Sequence, residues 1–208
     1  MTEEEFVLEI ESGLERRHIE YKGPGSINDK QLVGKIARAV LAMTNRQDGG
    51  YVIVGVGDAN GTLDPIGFDL KAIESWTRDA LADKLAPLAD PSVDFDLEHQ
   101  AYNGRFFVVI LVREFDESPV FCRANRQSSS SHDMILREGA LYVRGRRKPE
   151  TIEIRTSQEM RDLLDLALTK RLRRYVEQSQ AAGVGLGVLP PAVSSSAKFR
   201  DQLSDLGI

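Results

Sequence analysis

The chain has 208 residues, enough for one domain with a sizeable core, and its 41% apolar and 28% charged residues are typical of a globular protein rather than a disordered one. A single cysteine excludes an intrachain disulfide framework and leaves no Cys/His cluster with the spacing of a zinc site, so we expect a reducing, cytoplasmic setting. The start of the sequence is acidic and no apolar run approaches about 20 residues, so neither a signal peptide nor a membrane span is predicted.

The charge is unevenly distributed. A net charge of −5 argues against a protein that coats DNA non-specifically, but residues 137–174 carry eleven bases and six acids. Within this stretch, Arg144, Arg146, Arg147 and Lys148 follow one another closely. They predict a surface that contacts nucleic-acid phosphates, whereas the later run Lys170–Arg174 is equally well explained as a solvated helix face.

Two helices and two strands are predicted in the first part of the chain. Thr2 and Glu5 have the spacing of a capping box, which predicts a helix over residues 3–13. A short strand, His18–Lys22, precedes a second amphipathic helix that begins after Asn28 or Asp29 and runs to about residue 44. Paired glycines then lead into an apolar strand over residues 51–57, and Asn60-Gly61 predicts a turn after it.

The middle of the chain predicts one helix and one hairpin. The spacing of Ile73, Trp76 and Leu81 favours a single amphipathic helix over residues 71–85. Alternating apolar and polar residues over 93–102, followed by Asn103-Gly104 and the run 105–113, predict a β-hairpin.

The last part of the chain predicts short strands, a long helix and a tail. Strands are predicted over residues 120–123, 135–137 and 141–144, and a helix from about 157 to 178. We place Cys122 in the core as a small apolar residue. Residues 1–178 therefore form the predicted domain, and residues 179–208 a Gly/Pro/Ser-rich linker with a short terminal helix.

Candidate functional residues lie in three segments. Glu15 follows the first helix, and Glu20 and Lys22 alternate with apolar residues on the first strand, so they share one face of it. Asp58 ends the Gly-rich strand, a frequent position for functional groups in α/β proteins. That strand has no Walker lysine and no GxGxxG pattern, so a phosphate-binding loop is not favoured, although its glycines would allow a backbone or a phosphate to approach.

Taken in order, these motifs resemble a known family. The chain has Glu15, four residues, then Glu20-Tyr21-Lys22; a helix ending Thr44-Asn45; Gly49-Gly50 and a strand ending Gly55-Val56-Gly57-Asp58; Asn60-Gly61; and a late Tyr142-Val143-Arg144-Gly145. Over about residues 6–170 this order resembles the Schlafen core, also called the AlbA-type DNA-binding or divergent ATP-binding domain of bacterial regulators. The resemblance implies an α/β (α+β) fold, a mixed sheet flanked by helices in a single AlbA-like lobe.

The resemblance also implies a site. In ribonuclease members of the family, two glutamates and an aspartate at these positions form a metal-dependent carboxylate triad, which carries over to Glu15, Glu20 and Asp58. Carboxylate oxygens suit Mg²⁺ or Mn²⁺. Lys22 and the Arg144–Lys148 segment would then contact the phosphates of RNA.

Two departures from the family pattern matter. The zinc motif of animal relatives is absent, because Cys122 is the one cysteine. Animal relatives carry two lobes in a chain and this sequence has one, so a two-lobed cradle would require a homodimer.

Three functional hypotheses remain open at this point. The first is a metal-dependent endoribonuclease acting on structured RNA such as tRNA. The second is a non-catalytic DNA- or RNA-binding module of a regulatory or defence system, and the third is a nucleotide-binding regulatory domain. The three acidic residues favour the enzyme, since a protein that only binds phosphate gains nothing from carboxylates.

Overall fold

A computed structural model describes residues 1–59, 62–129, 131 and 133–183. The predicted Asn60-Gly61 turn and the predicted terminal helix lie outside these residues. The chain divides into two compact units, Met1–Leu168 and Thr169–Ile208. The helices and strands of the first unit, up to its last helix, are α1 (Glu3–Ser12), β1 (Ile19–Lys22), α2 (Lys30–Thr44), β2 (Gly50–Val54), β3 (Gly57–Ala59), β4 (Thr62–Asp64), α3 (Leu70–Ile73), α4 (Arg78–Leu85), a 3₁₀ helix (Ala86–Leu88), β5 (Ala89–Asp90), β6 (Phe95–Tyr102), β7 (Arg105–Val112), β8 (Phe121–Cys122), β9 (Arg126–Gln127), β10 (Met134–Leu136), β11 (Tyr142–Arg144) and β12 (Thr151–Glu153).

The last helix, α5, covers Ser157–Ala181 and passes from the first unit into the second. In the second unit the described residues are 169–183, which are helical as far as Ala181. The domain boundary predicted after residue 178 falls within this helix and stays a prediction. No helix in the described part of the chain has the length and apolar character that crossing a membrane requires.

The central sheet has four strands in the order β1-β2-β7-β6. β1 runs parallel to β2, whereas β2, β7 and β6 pair antiparallel, so the sheet is mixed as predicted. Successive side chains of a strand point to opposite faces of a sheet. On one face Phe6 and Ile10 of α1 pack on residues such as Ile53 and Phe107, and the other face supports the larger core built around α2.

Local signals account for the best-predicted elements. The capping box is present, since the Thr2 hydroxyl accepts from Glu5 N and the Glu5 carboxylate accepts from Thr2 N. The β6–β7 hairpin turns through Asn103 and Gly104, both with positive φ, as an Asn-Gly pair in a tight hairpin requires. Cys122 is buried at 1% exposure, as predicted for a core residue.

The single helix predicted over residues 71–85 is wrong, because the chain forms α3 and α4 with a break between them. Trp76 lies in the break, is fully buried, and donates from Nε1 to the Gly25 carbonyl at 3.2 Å. The Thr77 hydroxyl accepts from Ala80 N at 3.1 Å and so caps α4. A threonine that can cap a new helix competes with continuation of the old one.

Gly49 and Gly55 lie where the backbone conformation and close packing of the chain itself require glycine. Gly49 has φ +63°, and a Cβ atom there would lie 2.1 Å from the Val112 carbonyl oxygen. Gly55 has φ +120°, ends β2, and accepts at its carbonyl from Gly67 N at 2.8 Å. The close approach predicted at this strand end is therefore made by the chain's own backbone, not by a phosphate.

The helix-ending asparagine also has a structural reason. Asn45 is 4% exposed, and its amide donates to the carbonyls of Val120 at 2.9 Å and Tyr142 at 3.1 Å. Its Oδ1 accepts from Val120 N at 2.8 Å. One side chain thus joins the end of α2 to two later segments and satisfies three buried backbone groups.

Candidate functional site

Glu20 and Lys22 lie on the face of β1 that α2 covers. Ile19 and Tyr21, which alternate with them, join the core cluster on the α1 side. Glu20 is 7% exposed, and its Oε1 accepts a very short hydrogen bond from Lys22 Nζ. The predicted sharing of one strand face by Glu20 and Lys22 is confirmed by this contact. Lys22 Nζ also donates to the Tyr21 carbonyl at 3.2 Å, and the predicted contact of Lys22 with a phosphate stays a prediction.

Arg144 is the second cation on Glu20. Its side chain is completely buried, and its NH1 donates a very short hydrogen bond to Glu20 Oε2. The Thr151 hydroxyl donates to the same oxygen at 2.6 Å. Charge on a buried carboxylate requires this kind of pairing, because desolvation otherwise disfavours the ionised form.

The remaining Arg144 donors bind the chain itself. They reach the carbonyls of Arg17 at 3.1 Å, Ile19 at 3.1 Å and Pro149 at 2.7 Å. In return Arg17 Nε donates to the carbonyl of Gly145 at 3.1 Å. The guanidinium of Arg144 is thus buried and engaged in holding β11 to β1, and the predicted contact of Arg144 with nucleic-acid phosphates stays a prediction.

Glu15 follows α1, which ends at Gly13 in the left-handed conformation. Its Oε1 lies 3.4 Å from Arg144 NH2, and its side chain is 38% exposed. Burial raises the pKa of Glu15, the charge of Arg144 opposes that rise, and the nearby Glu20 adds to it. Glu15 is therefore a carboxyl group that binds a proton more readily than an ordinary glutamate.

Asp58 lies on the short strand β3, opposite Leu63 of β4, and is exposed. With Glu15 and Glu20 it lines one pocket with a volume of about 630 Å³. The structure thus brings the three predicted carboxylates to a single cavity, although they come from three separate segments of the chain.

The sequence analysis missed the contribution of α2 to the pocket. Gln31, Lys35 and Arg38 line the pocket, at positions i, i+4 and i+7 of one helix flank. That spacing, beside the apolar stripe of the same helix, was the available signal. The other lining residues are Tyr21, Lys22, Ser128, Ser131, Asp133, Met134, Ile135, Pro149, Glu150 and Thr151.

The donor chemistry of the three carboxylates suits a hard divalent cation, since each offers only oxygen. Both oxygens of Glu20 already accept from cations, Lys22 at Oε1 and Arg144 at Oε2. Among the residues that the structure describes, no three His, Cys, Asp or Glu side chains are grouped closely enough to hold a metal together. The acids fit such an ion chemically, but the arrangement is neutralised by the protein's own cations.

The other predicted phosphate contacts lie in the loop between β11 and β12. Arg146, Arg147 and Lys148 are exposed, and Arg146 pairs with Asp162 at 2.7 Å. In the described part of the chain no carboxylate pairs with Arg147 or Lys148. The next residues, Pro149–Thr151, line the pocket, so this basic loop adjoins its rim.

Two solved structures resemble the fold. One is the DIP2311 protein of Corynebacterium diphtheriae, with 18% identity and a TM-score of 0.44 over 73% of this chain, which spans 26% of that protein. The other is the N-terminal domain of a RecG-related protein of Nitrosomonas europaea, with 21% identity and a TM-score of 0.45 over 66% of this chain and 88% of that one. A comparison with curated proteins gives no match.

The family profile described as Schlafen, AlbA_2 matches residues 15–151. This stretch begins at Glu15 and ends at Thr151, so it contains both carboxylate-bearing segments, the pocket wall on α2, and the buried Arg144. With the mixed sheet and the order of motifs in agreement, the chain belongs to the Schlafen AlbA_2 family.

Proposed function

We propose that this protein is a Schlafen-type, metal-dependent endoribonuclease that acts on structured RNA such as tRNA. The proposal depends on the observation that Glu15, Glu20 and Asp58 line the same pocket, with a volume of about 630 Å³. The basic residues Arg147 and Lys148 adjoin the same pocket, where an RNA backbone would need positive charge.

In this proposal Glu15, Glu20 and Asp58 hold Mg²⁺ or Mn²⁺. When bound, such an ion neutralises developing charge on a phosphodiester and lowers the pKa of water. The protein's own groups prepare the site. Arg144 and the Thr151 hydroxyl fix Glu20 Oε2, and Glu15 lies beside them with its Oε1 3.4 Å from Arg144 NH2. Lys22 Nζ donates to Glu20 Oε1, so this oxygen would be open to an ion only where Lys22 no longer donated to it.

The test is cleavage of a folded RNA with and without Mg²⁺ or Mn²⁺. Asp58→Asn should reduce metal-dependent cleavage by about a hundredfold or more, in the range that loss of a group assisting proton transfer or holding the metal produces. Asp64→Asn is the matched control, because Asp64 lies on the paired strand β4, is also exposed, and does not line the pocket. Metal-dependent cleavage that survives Asp58→Asn and Glu15→Gln would remove the triad from the mechanism.

A specific observation favours one alternative. Glu20 is already compensated by Lys22 and Arg144, as expected if the acids hold the protein together rather than a metal. RNA binding without cleavage in either metal would support a non-catalytic binding module. The nucleotide-binding hypothesis has less support, because Gly49 and Gly55 are packed against the protein's own backbone and a Walker lysine is absent from the sequence.

A further inference from the structure

The polar flank of α2 carries two cations that face the pocket without a carboxylate partner. Lys35 is exposed and lines the cavity, and within the described residues it forms neither an ion pair nor a hydrogen bond. The other side of α2 is buried in the main core, so the flank is fixed in place. A cation held at a pocket wall without a counter-charge is suited to an anionic ligand.

Arg38 is held more rigidly than Lys35. Its guanidinium lies 5.2 Å from the centre of the Tyr142 ring, and its NH2 donates to the Thr151 carbonyl at 3.3 Å. Its Nε is buried without a hydrogen-bond partner, and no carboxylate pairs with Arg38 in the part of the chain that the structure describes. A guanidinium that is oriented by a ring and a carbonyl, but lacks an anion, keeps donors in place for a phosphate.

Arg38 and Arg144 differ in their charge partners. Arg144 shares the same neighbour, Thr151, but is buried and compensated by Glu15 and Glu20. Arg38 therefore differs from it in charge balance, not in residue type. Arg144 is compensated by two carboxylates, whereas Arg38, on the other side of Thr151 in the hydrogen-bond network, has no carboxylate partner among the described residues.

Neutral polar residues also line the cavity. Ser128 and Ser131 are among them, and Gln31 Oε1 accepts a short hydrogen bond from Ser129 Oγ. The Ser131 hydroxyl already donates to Asp133 Oδ2 at 2.9 Å, so the cations of α2 carry the inference. The acids Asp133 and Glu150 also line the pocket, but neither pairs with Lys35 or Arg38 among the described residues.

We propose that Lys35 and Arg38 form a phosphate-binding subsite. It would hold one backbone phosphate of an RNA strand in the cavity that Glu15, Glu20 and Asp58 also line. The three carboxylates would then receive a neighbouring phosphodiester of the same strand. The identity of the ligand as RNA rests on the proposed function, whereas the subsite itself rests on the unpaired cations.

The test measures RNA binding in EDTA, where metal-dependent cleavage cannot occur. A fluorescently labelled hairpin RNA is titrated with each protein variant over a range of salt concentrations. Lys35→Gln should weaken binding about tenfold and lower the slope of log affinity against log salt by about 0.7 to 0.9, the effect of one lost phosphate contact. Lys30→Gln is the matched control, because Lys30 is an exposed lysine at the start of α2 that does not line the pocket.

Arg38 needs a second variant, since its contacts with Tyr142 and Thr151 give it a structural role as well. Arg38→Lys keeps the charge but removes the fork of donors, so it should retain the salt slope while lowering affinity. Its melting temperature is measured beside that of the wild type, and a loss of affinity at unchanged melting temperature supports a ligand role.

The outcomes separate this inference from the proposed function. If the wild type binds RNA without ever cleaving it, and Lys35→Gln weakens that binding, the subsite stands while the enzyme proposal fails. If Lys35→Gln and Lys30→Gln bind RNA with the affinity and slope of the wild type, the subsite is overturned. If a nucleoside triphosphate displaces RNA from the wild type but does not bind Lys35→Gln, the subsite belongs to a free nucleotide and its assignment to an RNA strand is overturned.

Discussion

Replacing Arg144 with methionine should destabilise the fold rather than merely weaken a surface. Methionine has a similar length and fills the buried space, but it leaves Glu20 Oε2 without its charged partner and removes the Arg144 donors from the carbonyls of Arg17, Ile19 and Pro149. Breaking a buried ion pair from one side costs about 3–5 kcal/mol. For a chain of this size each kcal/mol lowers the melting temperature by about 2–4 °C, so we expect a fall of roughly 6–20 °C.

The assay is urea unfolding followed by circular dichroism, with thermal melts in parallel. Arg147→Met is the matched control, because Arg147 is exposed in the adjoining loop and its replacement should stay within about 0.5 kcal/mol of the wild type. In the double variant Arg144→Met/Glu20→Gln both charges are gone, so its destabilisation should be smaller than the sum of the two single effects by about 0.5–3 kcal/mol.

The opposite pattern would refute the reasoning. An Arg144→Met protein that unfolds within about 1 kcal/mol of the wild type is incompatible with a buried, compensated guanidinium. If that variant also lost RNA affinity, Arg144 would be a ligand contact, as its neighbours in the sequence first suggested.

Three other perturbations have defined outcomes. Because the pKa of Glu15 is raised above the ordinary value of 4.5, its contribution to stability is complete below pH 4.5 and is lost as the pH rises through the pKa of the folded state. Glu15→Gln should therefore raise the melting temperature at neutral pH and make the melting temperature less dependent on pH. Neutralising Arg147 and Lys148 together should weaken RNA binding and reduce its salt slope, measured by anisotropy, whereas the change should be smaller for Arg146, which Asp162 already pairs. Light scattering should give a homodimer, about twice the 23.1 kDa of the chain, and a monomer mass at micromolar concentration would contradict the two-lobed cradle.

Elements with local causes could be predicted from the sequence. The β6–β7 hairpin follows from alternation and an Asn-Gly pair, and α1 and α2 follow from a cap and an apolar stripe. The equally short strands β8, β10 and β11 were expected because apolar residues mark them, whereas β9 and β12 were missed because their residues are mostly polar. The single helix over residues 71–85 was predicted because the apolar spacing continues across Thr77, whereas the Thr77 hydroxyl caps a new helix, α4.

The residues of the candidate site also separate into those with local sequence signals and those whose roles depend on distant parts of the chain. Motif spacing led to Glu15, Glu20 and Asp58 because each lies at a recognisable position of a local element. Nothing local distinguishes the buried Arg144 from the exposed Arg147, since the burial of Arg144 depends on β1, more than a hundred residues earlier. Lys35 and Arg38 were passed over because a charged helix flank looks solvated until the element that it faces is known.

The ion pair between Arg144 and Glu20 has a consequence for folding during synthesis of the chain. The two residues are 124 positions apart, and Thr151, which shares the same carboxylate oxygen, comes later still. During synthesis the N-terminal strands emerge first, so Glu15 and Glu20 are exposed to solvent long before their arginine exists. A nascent or truncated chain that ends before Arg144 therefore has Glu15 and Glu20 but lacks the arginine that holds them in position. The arrangement of the acidic residues in the pocket therefore depends on completion of the domain.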